Sequence, residues 1–247
     1  MDSEPDRLTS DAARRPVLPV LLLLALTLVF SALGVWQVKR LAWKEALIAK
    51  VDRRIHAPPV APPDGDAARG QALADREYLR VHASGRYVAS GTALVRAVTD
   101  LGGGYWVMTP LRVEGGRLLY INRGFVPVGS KTEGVRRATP SGPVKVTGLL
   151  RLTEPGGGFL RSNDPGADRW YSRDVAALAE SRGLAHVAPF FIDAQQLVPA
   201  PPKDGPVPGL TVVRFPNNHF SYALTWFAMA ALSLIAAFTL WRRGRAA

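Results

Sequence analysis

Two stretches decide the fold of this chain: VLPVLLLLALTLVFSALGVWQ, residues 17–37, and SYALTWFAMAALSLIAAFTLW, residues 221–241. Each is about 21 residues long and carries no charge. A helix that rises about 1.5 Å per residue needs roughly 20 apolar residues to cross the hydrocarbon core of a bilayer. A soluble helix is rarely apolar on every side over that length. The sequence therefore predicts two transmembrane helices, with Trp36 and Trp241 at the headgroup level that aromatic rings prefer.

The first stretch has an alternative interpretation as a cleaved signal peptide, with Arg14 and Arg15 as its charged start. Its apolar run is longer than the roughly 7 to 15 residues of a signal-peptide core, and the two arginines lack the rest of a twin-arginine signal. We therefore expect a retained membrane helix.

Basic residues beside the second stretch predict the orientation. Arg242, Arg243 and Arg245 follow it directly, and basic residues next to a span favour the cytoplasmic side. Both termini are then cytoplasmic. We expect the two helices to cross the inner membrane of a bacterium. The predicted segments are a cytoplasmic tail (1–16), a transmembrane helix (17–38), a periplasmic domain (39–220), a second transmembrane helix (221–241) and a second tail (242–247).

The composition excludes several classes of protein. The chain has 247 residues, of which 47% are hydrophobic and 21% charged, and it has no cysteine. Disordered chains, disulfide scaffolds and cysteine-based zinc or thiol chemistry are therefore excluded. The net charge is +11, and most of it lies between the two stretches. In a domain tied to the membrane twice, this charge argues against nucleic acid and favours lipid headgroups, acidic proteins or a ligand with carboxylates.

The chain between the stretches has the pattern of a small, mainly antiparallel β domain with a helix, an α+β architecture. Residues 105–113 and 118–122 are rich in β-branched and aromatic side chains and flank Gly115 and Gly116, which predicts a hairpin. Further strands are expected at residues 79–83, 92–98, 144–150, 190–193 and 211–214.

Helical patterns occur at two places in this domain. Residues 39–55 carry apolar side chains at helical spacing and predict an outward extension of the first membrane helix. Residues 173–182 predict a second helix, with Ser172 as its N-cap and Gly183 at its end.

Motifs for catalysis are missing from the sequence. There is no phosphate-binding loop followed by Lys and Ser or Thr, no HExxH and no nucleophile elbow. Solvated faces and helix ends explain Asp168, Asp174, Glu180 and Asp193. We therefore do not expect an enzyme.

Four histidines are candidate ligands. His56, His82 and His186 stand in contexts typical of surface or half-buried residues. His219 differs, because it stands at the outer end of the second stretch, in NNHFSYALTWF.

Helical spacing places Tyr222, Ala223 and Trp226 on the same face as His219. A neutral imidazole beside small and aromatic neighbours fits an axial ligand of an iron porphyrin. The alternative is an interfacial histidine that anchors the helix.

Four parts of the sequence resemble, in the same order, the signatures of the Surfeit locus protein 1 family. They are LGVWQVKRLAWKEALI from Leu33, GYWVMTPLRVEGGRLLYINRGFVP from Gly104, WYSRDVAALAESRGL from Trp170 with PFFIDA from Pro189, and NNHFSYALTWFAMA from Asn217. The resemblance spans nearly the whole chain. Phe125 departs from it, since the family carries tryptophan in its NRGWVP run.

The resemblance implies an assembly factor of cytochrome c oxidase with two membrane helices around a large domain. It further implies transient binding of haem a, which the protein helps to insert into, or stabilise within, subunit I. The implied partners are subunit I, a haem a synthase and membrane lipid. The family's haem-linked histidine matches His219, and its motif neighbours match Asn217, Asn218, Tyr222, Thr225 and Trp226. The alternative is a membrane scaffold that stabilises oxidase intermediates without binding haem.

Three arginines are candidates for binding the two haem propionates by forked hydrogen bonds. They are Arg40 after the first stretch, Arg214 before the second, and Arg123 in the INRG run. Alternatively, the first two bind lipid phosphates and Arg123 pairs with a local carboxylate.

Overall fold

The structure is a computed structural model that describes residues 17–158, 160–211, 213 and 215–246. The chain divides into two compact units. Among the described residues, the helical unit comprises 17–49 and 215–246, and the β unit comprises those from 50 to 213. The predicted tail over residues 1–16 lies outside the described residues.

Helices and strands have the following bounds. The helices are α1 (Val17–His56), α2 (Gly70–Ala74), α3 (Thr132–Arg137), α4 (Val175–Ser181) and α5 (His219–Ala246). The strands are β1 (Arg80–Tyr87), β2 (Ala93–Thr99), β3 (Gly102–Val113), β4 (Leu118–Pro127), β5 (Pro143–Leu152) and β6 (Val187–Val198).

In the helical unit, small residues bring α1 and α5 close together. On α5, Ala223, Ala230 and Ala237 recur every seven residues and are buried. On α1, a Cβ atom at Gly34 would lie 2.6 Å from the ring of Phe227. Small residues at a seven-residue spacing let two helices approach along one seam, as in coiled coils and membrane helix pairs.

Both long helices have the length and composition of membrane spans, with mean hydropathy of 2.5 for α1 and 1.9 for α5 in their most apolar windows. Away from the seam, apolar side chains such as Leu22, Leu28 and Leu232 are exposed, which is compatible with a lipid-facing surface. α1 runs without interruption to His56, so the predicted continuation of the helix over residues 39–55 is confirmed.

The β unit is a six-stranded sheet that closes on itself. Its order is β1-β5-β6-β4-β3-β2, and β1 also pairs with β3 through residues 85–87. β4 and β6 are parallel, whereas the other pairs are antiparallel. The predicted mainly antiparallel sheet is therefore a mixed sheet. A short hairpin forces antiparallel pairing, but β5 and α4 separate β4 from β6 along the chain, so no hairpin constrains this pair.

Apolar side chains cover both faces of the sheet. On one face, Leu119, Ile121, Phe190 and Ile192 belong to a buried cluster. On the other, Tyr120 and Phe191 pack with Trp170 and with Leu178 of α4. The alternation of consecutive residues between the two clusters follows from the two-residue period of a strand.

The predicted hairpin is confirmed, because β3 and β4 are antiparallel and Gly115 and Gly116 have φ angles of +78° and +79°. The strands predicted at 79–83, 92–98, 144–150 and 190–193 correspond to β1, β2, β5 and β6. The strand predicted over 211–214 is wrong for the described positions Thr211 and Val213, which lie in no strand. β-branched residues form a strand only where a pairing partner is present.

The predicted helix over 173–182 exists as α4, but its cap differs. Asp174 occupies the N-cap and accepts a hydrogen bond from the Ala177 amide at 3.1 Å. Ser172, the predicted cap, instead accepts a hydrogen bond from the Gly157 amide at 3.0 Å. A carboxylate directly before the first turn satisfies the free amides better than a hydroxyl two residues further away.

Candidate functional site

His219 is the first residue of α5 and hydrogen-bonds to α1 in the helical unit. Its Nδ1 atom lies 2.7 Å from Oε1 of Gln37. The two residues are 182 positions apart in sequence, and the helix seam brings them together. Gln37 lies three residues beyond Gly34, so it continues the seam by one further turn of α1.

The hydrogen bond determines which nitrogen of His219 is available. An amide oxygen only accepts, so Nδ1 of the neutral imidazole carries the proton and donates it to Gln37. Nε2 then keeps its lone pair, and it makes no hydrogen bond with the described residues. Metal-bound histidines commonly have this arrangement, in which a partner at one nitrogen orients the other toward the metal.

Gln37 was missed by the sequence analysis. The available signal was its polarity at the end of an otherwise apolar stretch, because a lone amide on a membrane helix requires a partner. The structure shows that Gln37 is 8% exposed, so its amide is withdrawn from solvent and directed at His219.

The predicted neighbours of His219 divide into two groups. Ala223 is buried in the seam, and Trp226 stacks on Phe30 with ring centroids 5.7 Å apart. Tyr222 is 56% exposed and lies outside the seam. Ala223 and Trp226, four and seven positions after His219, lie on the face of α5 that contacts α1. Tyr222, three positions after His219, lies outside that face.

Arg40 is exposed and lies one turn beyond Gln37 on α1. Its guanidinium carbon is 4.1 Å from the centroid of the Trp43 ring. Within the described chain it forms no ion pair with a carboxylate. The charge of Arg40 is therefore available to an anion at the end of the helix pair where His219 lies. Arg214, the second predicted arginine, lies outside the described residues.

Arg123 belongs to the β unit, on β4, and is 3% exposed. It donates a hydrogen bond to the Thr139 hydroxyl at 2.7 Å, and its guanidinium lies 5.0 Å from the centre of the Tyr87 ring. Among the described residues no carboxylate lies within 4.0 Å of it, so the alternative of a local ion pair has no support there. Burial lowers the pKa of Arg123 and raises the pKa of Tyr87 to about 12.

In the β unit, residues that are distant in sequence form a buried polar cluster around Asp193. Asp193 of β6 is 1% exposed and accepts hydrogen bonds from Asn122 at 2.8 Å, Arg173 at 3.2 Å and Arg151 at 3.3 Å. Arg173 also binds Glu154 at 2.5 and 3.0 Å. Removing one partner from such a cluster leaves a buried charge uncompensated. The cluster therefore holds the strands and the α4 loop together, and the sequence analysis, which treated Asp193 as a solvated residue, missed it.

The remaining histidines lie in the β unit. His56 is exposed and contacts Asp52 at 3.3 Å, His82 lies on β1, and His186 has a φ angle of +57°. In the described chain no three His, Cys, Asp or Glu side chains form a group that could hold a metal ion.

Comparison with known proteins gives one consistent result. A family model described as the SURF1 family matches residues 24–231. Surfeit locus protein 1 of Mus musculus is 35% identical over 216 residues, which cover 81% of this chain and 68% of that protein. Surfeit locus protein 1 of Homo sapiens is 34% identical over 245 residues, covering 91% and 77%. A SURF1-like protein of Monosiga brevicollis is 34% identical over 235 residues, covering 90% and 87%.

Proposed function

This chain belongs to the SURF1 family, and on that premise we propose that it is an assembly factor of cytochrome c oxidase that binds haem a through His219. It holds haem a transiently for insertion into, or stabilisation within, oxidase subunit I. A haem a synthase is the proposed donor. Residues 17–38 of α1 and 221–241 of α5 cross the bacterial inner membrane, with both termini cytoplasmic and the β unit in the periplasm.

The hydrogen bond between Gln37 and His219 supports this proposal most directly. It presents Nε2 of a neutral imidazole, which is the form that binds iron. The porphyrin itself supplies four nitrogen donors, so one protein nitrogen serves as an axial ligand. A bare metal ion usually requires three or four protein ligands, and the described residues offer no such group. The donor set therefore fits haem better than a free ion.

Each of these residues contributes to haem binding in a different way. His219 supplies the axial nitrogen and Gln37 holds the imidazole in one tautomer. Trp226 and Phe30 stabilise the helix pair at this level through their stacked rings. Arg40 supplies a positive charge for a propionate. When bound, haem a is cargo for the oxidase, so no catalytic step by this protein is required.

His219→Ala tests the proposal. The protein is expressed together with a haem a synthase, purified in detergent, and its Soret band and haem stoichiometry are measured. We expect weakened binding or a changed spectrum without loss of folding, because alanine is a strong helix former. His56→Ala, His82→Ala and His186→Ala are matched controls that should keep the wild-type spectrum.

An unchanged spectrum and stoichiometry in His219→Ala would contradict the ligand assignment. The scaffold function, in which the protein stabilises oxidase intermediates without haem, would then explain the family membership better. Loss of the spectrum in one of the three controls would equally show that another histidine is the ligand.

A further inference from the structure

A cleft of about 320 Å³ in the β unit lies between β2, the start of α3 and the loop at residues 168–171. Arg96, Tyr105, Lys131 and Tyr171 are among the residues that line it. None of them takes part in the buried cluster around Asp193, so the cleft is a separate feature of this unit.

The wall of the cleft is a fixed framework. Trp170 is 1% exposed, and its carbonyl oxygen accepts a hydrogen bond from the Arg96 amide at 2.9 Å. The Trp170 indole donates to Asp168 at 2.7 Å, and Arg182 forms an ion pair with the same carboxylate. These contacts hold Asp168 at a φ angle of +50°, a conformation that costs a non-glycine residue free energy. The cleft is therefore formed before any ligand arrives.

The two acidic side chains of the loop beside the cleft, Asp164 and Asp168, are already paired with arginines. Asp168 is paired with Arg182, and Asp164 binds Arg169 at 2.6 Å. The charges of these four residues cancel in pairs, so they leave no net potential in the cleft.

Two positive charges remain without a carboxylate partner. Arg96 and Lys131 are exposed, and neither lies within 4.0 Å of a carboxylate in the described part of the chain. Arg96 lies 6.0 Å from the centroid of the Tyr105 ring. Ser130 and Thr132 add hydroxyl groups to the same lining. Guanidinium, ammonium and hydroxyl groups around one concavity are donors for a phosphate group.

Val98 and Leu101 at the β2–β3 hairpin, together with Val128 directly after β4, form an apolar patch beside these charges, which we call the hairpin tip. These side chains are 89%, 57% and 70% exposed. Val98 follows Arg96 by two residues on β2 and therefore lies on the same face of the sheet. Gly103 is the strand partner of Val98. A Cβ atom at Gly103 would lie 3.7 Å from Cγ2 of Val128, so Val128 lies beside Val98. The surface is thus amphipathic, with cations beside exposed aliphatic groups.

We propose that this surface binds an anionic phospholipid, with the phosphate between Arg96 and Lys131 and the acyl chains against the hairpin tip. Basic residues, tyrosines and aliphatic side chains together are the signature of a surface that lies in the bilayer interface. A soluble phosphate uses the cations alone and leaves the hairpin tip without a role, as does an acidic protein segment. Asp100, in the turn between β2 and β3, carries a negative charge that opposes the binding of an anionic lipid.

This assignment rests on the proposed membrane insertion of the two long helices and is independent of haem binding. The experiment therefore separates insertion from lipid contact. The full chain is reconstituted into vesicles of phosphatidylcholine, with or without phosphatidylglycerol. Because the chain has no cysteine, Leu101→Cys carries an environment-sensitive fluorophore at a single site. Flotation of the vesicles measures insertion, and the emission of the fluorophore measures contact of the hairpin tip with lipid.

We expect a blue shift only with phosphatidylglycerol. In the double variant Arg96→Gln, Lys131→Gln, association of the tip should fall about fivefold for each charge removed, while flotation stays unchanged. The matched control Arg112→Gln, Arg137→Gln changes the net charge equally at two other exposed arginines and should keep the shift. Asp100→Asn should strengthen the association.

Several outcomes would overturn the assignment. They are the absence of a shift, an equal shift in pure phosphatidylcholine, and a shift that the double variant retains. An equal shift produced by inorganic phosphate or polyglutamate in phosphatidylcholine vesicles would assign the cleft to a free anion or an acidic protein instead. Failure to float with vesicles would instead refute the membrane insertion on which the assignment rests.

Discussion

Gln37 accepts a hydrogen bond from His219 across the pair of long helices, with 2.7 Å between Oε1 and Nδ1. This contact is a polar link between α1 and α5, whose other contacts described above are apolar. It connects Gln37, the last residue of the first apolar stretch, with His219, the only histidine of α5. The function we propose depends on it, because it leaves Nε2 of His219 available.

Gln37→Leu should therefore weaken haem binding without removing the ligand. Leucine cannot accept the Nδ1 proton, so the imidazole loses both its fixed tautomer and its orientation, and loss of such a partner typically costs 10- to 100-fold in affinity at metal sites. Haem titration of the purified protein measures the effect. Gln196→Leu, at an exposed glutamine on β6, is the control. Equal affinities for wild type and Gln37→Leu would mean that the contact serves helix packing alone.

The topology can be tested by reporter fusions. A phosphatase fused near Gly157 of the β unit should be active, since the enzyme folds only outside the cytoplasm, and one fused after Ala247 should be inactive. The basis is the cluster of Arg242, Arg243 and Arg245 beyond the second stretch. Activity of the C-terminal fusion would reverse the assignment.

Glu154 should make the β unit sensitive to acid. Burial raises the pKa of this carboxyl, but the hydrogen bonds and charge of Arg173 outweigh burial and leave the pKa below its usual 4.5. A carboxyl with a lowered pKa in the folded state stabilises the protein above its unfolded value and loses that contribution as the pH falls through the folded value. Stability should therefore decline below about pH 4.5.

Thermal unfolding of the detergent-solubilised protein between pH 7 and 3 measures this decline. Glu154→Gln should flatten it, because glutamine does not titrate. Glu133→Gln, at an exposed acid on α3, should leave the pH profile unchanged. A profile that is equally steep in wild type and Glu154→Gln would place the acid sensitivity elsewhere.

Gly124→Ala should destabilise the β unit by about 1–3 kcal/mol. Gly124 has a φ angle of +125°, and a Cβ atom there would lie 2.2 Å from the Val207 carbonyl oxygen. Both the backbone conformation and the close approach thus require glycine. Gly142→Ala is the matched control, since nothing lies within 4 Å of a Cβ atom there. Equal melting temperatures for the two variants would refute this account.

Local patterns in the sequence determined most of the elements. The apolar stretches correspond to α1 and α5 because helix length and uniform apolarity are properties of a continuous segment. The hairpin at Gly115 and Gly116 was likewise predictable, since adjacent glycines accept the positive φ angles that the turn requires. His219 stood out for the same reason, because its position at the end of an apolar stretch is visible in one segment.

Only the tertiary structure decided the contacts between segments. The parallel pairing of β4 with β6, the convergence of Asn122, Arg151 and Arg173 on Asp193, and the partner of His219 all depend on which distant residues the fold brings together. No local pattern carries that information, because a residue's propensity and periodicity describe its own segment and not the surface against which that segment packs. The sequence thus determined α1, α4 and α5, most strands and the candidate histidine, whereas the short helices α2 and α3 were not predicted. Packing of distant segments determined that Gln37 orients this histidine and that Tyr222 lies outside the seam with α1.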